Sequence, residues 1–114
     1  MKYIKLFEKI NKNKRPKIGD YVICTDFTFL PNEALFFIEN NVGQIINIEI
    51  ADNPYCVHFE KVPSDFKSLF PKERNKLSGK YENNCRWFTL KEILLCFKHK
   101  EDLEIYLATK KYNL

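Results

Sequence analysis

Two alternating segments separated by a turn constrain this chain more than anything else in it. Val42-Gly43-Gln44-Ile45-Ile46-Asn47-Ile48-Glu49-Ile50 sets Ile46, Ile48 and Ile50 on one face, with Asn47 and Glu49 on the other. Tyr55-Cys56-Val57-His58-Phe59-Glu60 alternates again, with Tyr55, Val57 and Phe59 directed inward and Cys56, His58 and Glu60 outward. A period of two belongs to a half-buried strand, and Asp52-Asn53-Pro54 between the segments is turn chemistry. The pair predicts an antiparallel hairpin, and with it a core built on an antiparallel sheet.

The rest of the chain is read around that hairpin. Ile18 to Thr25 is rich in β-formers and predicts a strand. Asn32 is placed to cap a short helix through Ala34, Leu35, Phe36 and Ile38, with a strand as the competing reading. Asn40-Asn41 would end the helix by tolerating a left-handed backbone. Residues 62–83 form a long insertion, with Ser64 as a possible cap, a helical turn through Phe66, Leu69 and Phe70, then a polar run to Gly79. Cys85-Arg86-Trp87-Phe88 reads as a last strand. Thr89-Leu90-Lys91-Glu92 is a capping box, which predicts a helix through Ile93, Leu94 and Phe97. A second helix begins near Glu101-Asp102, acids suited to a helix start. At the other end, Tyr3, Phe7 and Ile10 have helical spacing, and the polar stretch 11–16 reads as a linker. Residues 1–17 are thus a basic amphipathic arm and linker, and residues 18–114 one domain, as 114 residues support.

Charge is unevenly distributed. Residues 1–17 carry seven cations against Glu8; residues 18–60 carry no Lys or Arg but seven acids; residues 61–114 carry twelve cations against seven acids. The net +4 is therefore a poor guide to partners. Phosphate binding needs cations clustered on one surface, and the centre of the chain would repel phosphate. Arg, the better phosphate fork, is scarce beside Lys, and the Lys-, Asn- and Ile-rich composition reads as an AT-rich coding bias. No apolar run approaches 18 residues, so no membrane span is expected. The start lacks the apolar stretch of a secretory signal, and a cytoplasmic protein is expected.

Gly-Asp-Tyr-Val at 19–22, Val-Gly-Gln-Ile-Ile at 42–46, Tyr-Cys-Val-His-Phe-Glu at 55–60 and Trp-Phe-Thr-Leu-Lys-Glu-Ile at 87–93 come in a familiar order. Together they resemble small SH3-like barrels of the KOW and Tudor kind. In these a G-D-x-V strand precedes a V/I-G-x-I strand, a partner ending in Phe-Glu, and a short closing strand. The resemblance covers residues 18–93. It implies an α+β fold, mainly β: a small antiparallel SH3-like barrel with C-terminal helices and a short N-terminal helix or arm. The flanks look like those of uncharacterised phage-encoded proteins. The KOW family binds RNA or protein, and the cation-free segment 18–60 shifts the weight to protein.

Candidate chemistry is sparse. The cysteines at 24, 56, 85 and 96 form no C-x-x-C, so free thiols are expected. Cys56-x-His58 with Cys96-x-x-His99 is the one metal-like constellation, but neither pair has zinc-finger spacing; no metal and no cofactor are expected. Cys56 and His58 stand too far apart at i, i+2 for nucleophile and base, and three glycines build no phosphate loop. A non-enzymatic module is expected. Tyr21, Phe27, Phe29, Phe36, Phe37, Tyr55 and Trp87 are candidates for an aromatic ligand surface. Adjacent Phe36 and Phe37 cannot both face one core, so one of them is either under another element or exposed as a contact point. The protein-binding candidates are Phe36, Phe37, Glu39, Glu49, Asp52 and Glu60. They would engage a partner protein such as a host factor. The alternative is an RNA- or DNA-binding module using Lys12, Lys14, Arg15 and Lys17 with Lys72, Arg74, Lys76 and Lys80.

Overall fold

The computed structural model describes residues 15–112. Residues 1–14, most of the expected arm, lie outside the described residues. Pro16 is already buried, and Lys17 joins a turn in which its N–H donates to Asp20 Oδ2 at 3.0 Å.

Five strands form one antiparallel sheet. β1 (Tyr21–Cys24), β2 (Gly43–Ile48), β3 (Tyr55–Phe59), β6 (Cys85–Phe88) and β7 (Ile93–Phe97) are ordered β6-β3-β2-β1-β7. β4 (Glu73–Arg74) and β5 (Tyr81–Glu82) make a separate two-stranded hairpin inside the insertion. Helix α1 (Asn32–Glu39) connects β1 to β2, and α2 (Lys100–Tyr112) follows β7. β6 and β7 are the two edges, so the sheet is open.

The β2–β3 hairpin forms where the alternation places it, with Ile45 opposite Val57 and Ile48 opposite Tyr55. Its faces differ from the expectation. A bulge between Ile45 and Asn47 inserts Ile46 as an extra residue, which reverses the side-chain alternation beyond it. Ile45 and Ile48 therefore join the main core, Ile46 is buried on the opposite face, and Ile50 is fully exposed. Gly43 is required by closeness: a Cβ there would stand 2.3 Å from Val57 Cγ1 and 3.3 Å from His58 O.

The main core gathers Val22, Cys24, Ile38, Ile45, Tyr55, Val57, Phe59, Phe70 and Phe88. Phe37 packs into it, with ring centroids 5.6 Å from Phe59 and 5.8 Å from Phe70. Offset and edge-on contacts of this kind add to burial. On the other side of the sheet, α2 covers Ile23 and Leu95 with Leu103.

Three local expectations are corrected. The capping box is present, with the Thr89 hydroxyl accepting from Glu92 N–H and the Glu92 carboxylate accepting from Thr89 N–H. It closes only a three-residue 3₁₀ turn, Leu90–Glu92, and residues 93–97 are strand β7 instead of a helix. Pairing with β1 from Tyr21↔Phe97 to Ile23↔Leu95 overrides the local helical signal. One C-terminal helix is described, not two. α1 forms, but it is capped by Pro31 with no side-chain bond from Asn32. It ends without a left-handed residue: Asn40 has φ −118°, and the side-chain amides of Asn40 and Asn41 donate to Phe36 O and Phe37 O. In the insertion, Ser64 starts a 3₁₀ segment, Ser64–Leu69, without capping it by its side chain.

Candidate functional site

The connection from β1 to α1 carries the most unusual surface of the described residues. Phe27 is 63% exposed and Phe29 fully exposed, and Phe36 on α1 is 68% exposed. Three bare rings within ten residues are costly in water unless something covers them.

The loop that presents them is braced from below. Asp26 is buried and accepts from Arg86 Nε at 2.8 Å, from Thr28 N–H at 2.8 Å and from the Thr28 hydroxyl. Arg86, on β6, spreads its other nitrogens to Leu69 O and Thr28 Oγ1. Burial pushes the Asp26 carboxyl up, but the hydrogen bonds from Arg86 and Thr28 outweigh it and hold the group below its ordinary range. Glu92, also buried, accepts from Phe27 N–H at 2.8 Å through one carboxylate oxygen. Thr25 N–H donates to Glu92 O, and the Thr25 hydroxyl donates to Glu39 Oε2 at 2.6 Å. Phe29 has φ +61°, the left-handed region that suits Gly and Asn and that costs a Phe about 1–2 kcal/mol. The ring is held outward by a rigid frame.

The sequence candidates fall in several places. Phe36 is exposed and Phe37 lies in the core, so the pair divides as its adjacency requires. Glu39 is half-buried and engaged by Thr25. Glu49 and Asp52 are exposed at the β2–β3 turn. Glu60 is exposed and accepts from Lys100 Nζ at 2.7 Å, which holds its carboxyl below and the Lys100 amine above their ordinary values. Of the other acids of 18–60, Asp20 and Asp26 are buried, and Asp20 accepts from the Cys96 thiol at 3.2 Å. The acidic block is thus partly internal framework. Phe27 and Phe29, members only of the wider aromatic set, are as bare as Phe36. The signal for them is the clustering of Asp26, Thr28 and Pro31 around two aromatics, a composition that turns the chain and leaves no room for both rings inside.

Of the cationic candidates, Lys12 and Lys14 lie outside the described residues. Arg15 and Lys17 are exposed, as are Lys72, Arg74, Lys76 and Lys80 on and around the β4–β5 hairpin. Tyr81 and Leu77 on the same hairpin are 65% and 55% exposed.

The metal-like constellation is not assembled. Cys96 joins the main core beside Asp20, whereas Cys56 is buried with Ile46 and Cys85 on the opposite face of the sheet. Cys56 and His58 share the outward face that the alternation gives them, but Trp87 packs on it and Cys56 is wholly buried. Among the described residues, no group of three or more His, Cys, Asp or Glu is arranged to hold a metal ion, and no helix is long and apolar enough to cross a membrane. No family model matches the chain, and no curated protein or solved structure is significantly similar to it.

Proposed function

We propose that this chain is a small non-enzymatic protein-binding module of SH3-like design, acting in the cytoplasm through the aromatic loop between β1 and α1. The observation that carries this reading is the braced exposure of Phe27 and Phe29. A part-buried ion pair and a buried carboxylate fix the backbone beneath two exposed rings. Rigid, exposed aromatics are the anchors on which protein interfaces concentrate their binding energy, and pre-organisation spares the ordering cost on association. Phe36 extends the apolar surface on α1, and Glu33 beside it is exposed. The SH3-like reading is supported by the strand path: the G-D-x-V segment leads into β1, V-G-x-I into β2, and Phe-Glu closes β3. The Trp-Phe segment comes next in β6, and β7 returns beside β1 after one 3₁₀ turn.

Affinity capture of the tagged chain from its native lysate tests the reading, run beside Phe27→Ser/Phe29→Ser. One stoichiometric protein retained by the wild type and lost by the double variant is expected. A partner set that does not change between the two would sink it.

A second reading, nucleic-acid binding, is favoured by the β4–β5 hairpin, where four exposed cations flank an exposed Tyr81 suited to base stacking. It requires binding to a generic single strand that weakens steeply between roughly 50 and 200 mM salt. It also requires that replacing Lys72, Arg74, Lys76 and Lys80 by Ala abolish that binding.

A further inference from the structure

Neither reading uses the outer face of β3 and β6. Here the register sets Cys56 opposite Trp87 and His58 opposite Cys85, so these four side chains share one face and the two cysteines are diagonal neighbours. Both cysteines are buried in one cluster with Ile46, against which Trp87 packs. His58 Nδ1 lies 2.9 Å from Asn83 O and 3.9 Å from Cys85 Sγ. A carbonyl only accepts, so Nδ1 carries a proton, and the sulfur lies beside the same nitrogen. Glu82 stands 3.9 Å from the same nitrogen.

We propose that Cys56 and Cys85 are a redox-active dithiol, with Cys85 the attacking sulfur and a low-molecular-weight disulfide its oxidant. The two thiols are not equivalent. Hydrogen bonding from Cys56, with His58 and the Glu73 backbone adding to it, outweighs burial and lowers the Cys85 thiol to about 6. Cys85 Sγ also lies 3.3 Å from Glu82 O and 3.5 Å from Asn83 O. These carbonyls favour the protonated thiol, but the three donors prevail. Cys56 is pushed up by the same hydrogen bond and by burial. His58 is raised chiefly by Cys85, and a thiol lowered beside an imidazole raised is the pairing that favours the thiolate from which thiol–disulfide exchange proceeds.

The exchange balances. The Cys85 thiolate attacks one sulfur of the oxidant, forming a mixed disulfide and releasing one thiolate. Cys56 then attacks the Cys85 sulfur, forming the Cys56–Cys85 bond and releasing the second thiolate. The proton of Cys56 and the one held by His58 end on the two released thiols. The protein loses two electrons and the oxidant gains them.

Access comes from the cover. Both sulfurs are buried, and Cys85 is touched by Glu73 of β4 and Glu82 of β5. These strands are two residues each, and Lys76 N–H to Ile46 O, 2.8 Å, ties their loop to the sheet. So short a hairpin opens at little cost compared with global unfolding. β6 is an edge strand, held by a neighbour on one side only, so it can make the backbone shift that a diagonal pair needs to close a disulfide.

The test exposes the reduced full chain to glutathione disulfide at neutral pH without denaturant, traps free thiols by alkylation, and maps the products by mass spectrometry. The expected result is the loss of two hydrogens in a Cys56–Cys85 linked peptide, reversed by dithiothreitol, with Cys24 and Cys96 unlinked. Cys56→Ala is expected to stop at a glutathione adduct on Cys85. His58→Gln, which keeps both thiols, is expected to slow oxidation on the order of tenfold as the thiolate fraction falls. The variant therefore tests the proposal even if a cysteine replacement fails to fold. No mass change under native conditions, linkage through Cys24 or Cys96, or an unchanged rate in His58→Gln overturns the proposal.

Discussion

At the scale of single residues, the Asp26–Arg86 pair bears the largest consequence. The Asp26 side chain is 2% exposed and that of Arg86 18%, so removing the cation strands a buried charge. Arg86→Met is expected to lower unfolding stability by roughly 3 kcal/mol, read from the urea midpoint at unchanged slope. The pair also sets an acid limit. Because the folded Asp26 carboxyl sits below its usual 3.8, its contribution is complete above the unfolded value and is lost as pH falls through the lower folded one. Wild-type stability should therefore decline on acidification below about pH 4, and Arg86→Met should show a shallower decline. An equal slope in both would assign the acid sensitivity elsewhere.

At the scale of elements, the 3₁₀ turn between β6 and β7 does two jobs. It reverses the chain, and through Glu92 it holds the backbone of the aromatic loop. Glu92→Ala leaves Phe27 N–H and Thr89 N–H without their acceptor, with an expected loss on the order of 2 kcal/mol. Amide exchange at Phe27 should accelerate well beyond any change in the β2–β3 amides; protection at Phe27 equal to wild type would remove Glu92 from the frame. The turn is legible in the sequence, since Thr89 and Glu92 have capping-box spacing, but strand β7 is not. Ile93 to Phe97 has no periodicity that separates strand from helix, and only the unpaired edge of β1, distant in sequence, decides. Ile46 escapes for a related reason: a bulge is one residue of slippage, invisible to a count of alternation. The hairpin, α1 and β6 are legible because each carries its signal within its own span. The Cys56–Cys85 neighbourhood is not, because it depends on the register of two strands separated by the whole insertion. Phe27 and Phe29 belong to the aromatic set, but only the frame formed by Asp26, Arg86 and Glu92 from three parts of the chain singles them out.

At the scale of the whole molecule, stability and surface are separable. The core lies on one side of the sheet, α2 closes the other around Ile23 and Leu95, and the aromatic loop contributes neither Phe27 nor Phe29 to either. Phe29→Asn places a residue tolerant of the left-handed backbone where Phe now stands. It is expected to leave the unfolding midpoint unchanged or raise stability by up to about 1 kcal/mol, while weakening the proposed capture of a protein partner. A clear drop in stability would show that the ring packs on the domain after all. The positive φ at Phe29 then has an evolutionary meaning. A lineage selected for folding alone would drift to Asn or Gly at this position. Among descendants of this chain, those that lose their partner should lose the phenylalanine first and become sturdier proteins for it.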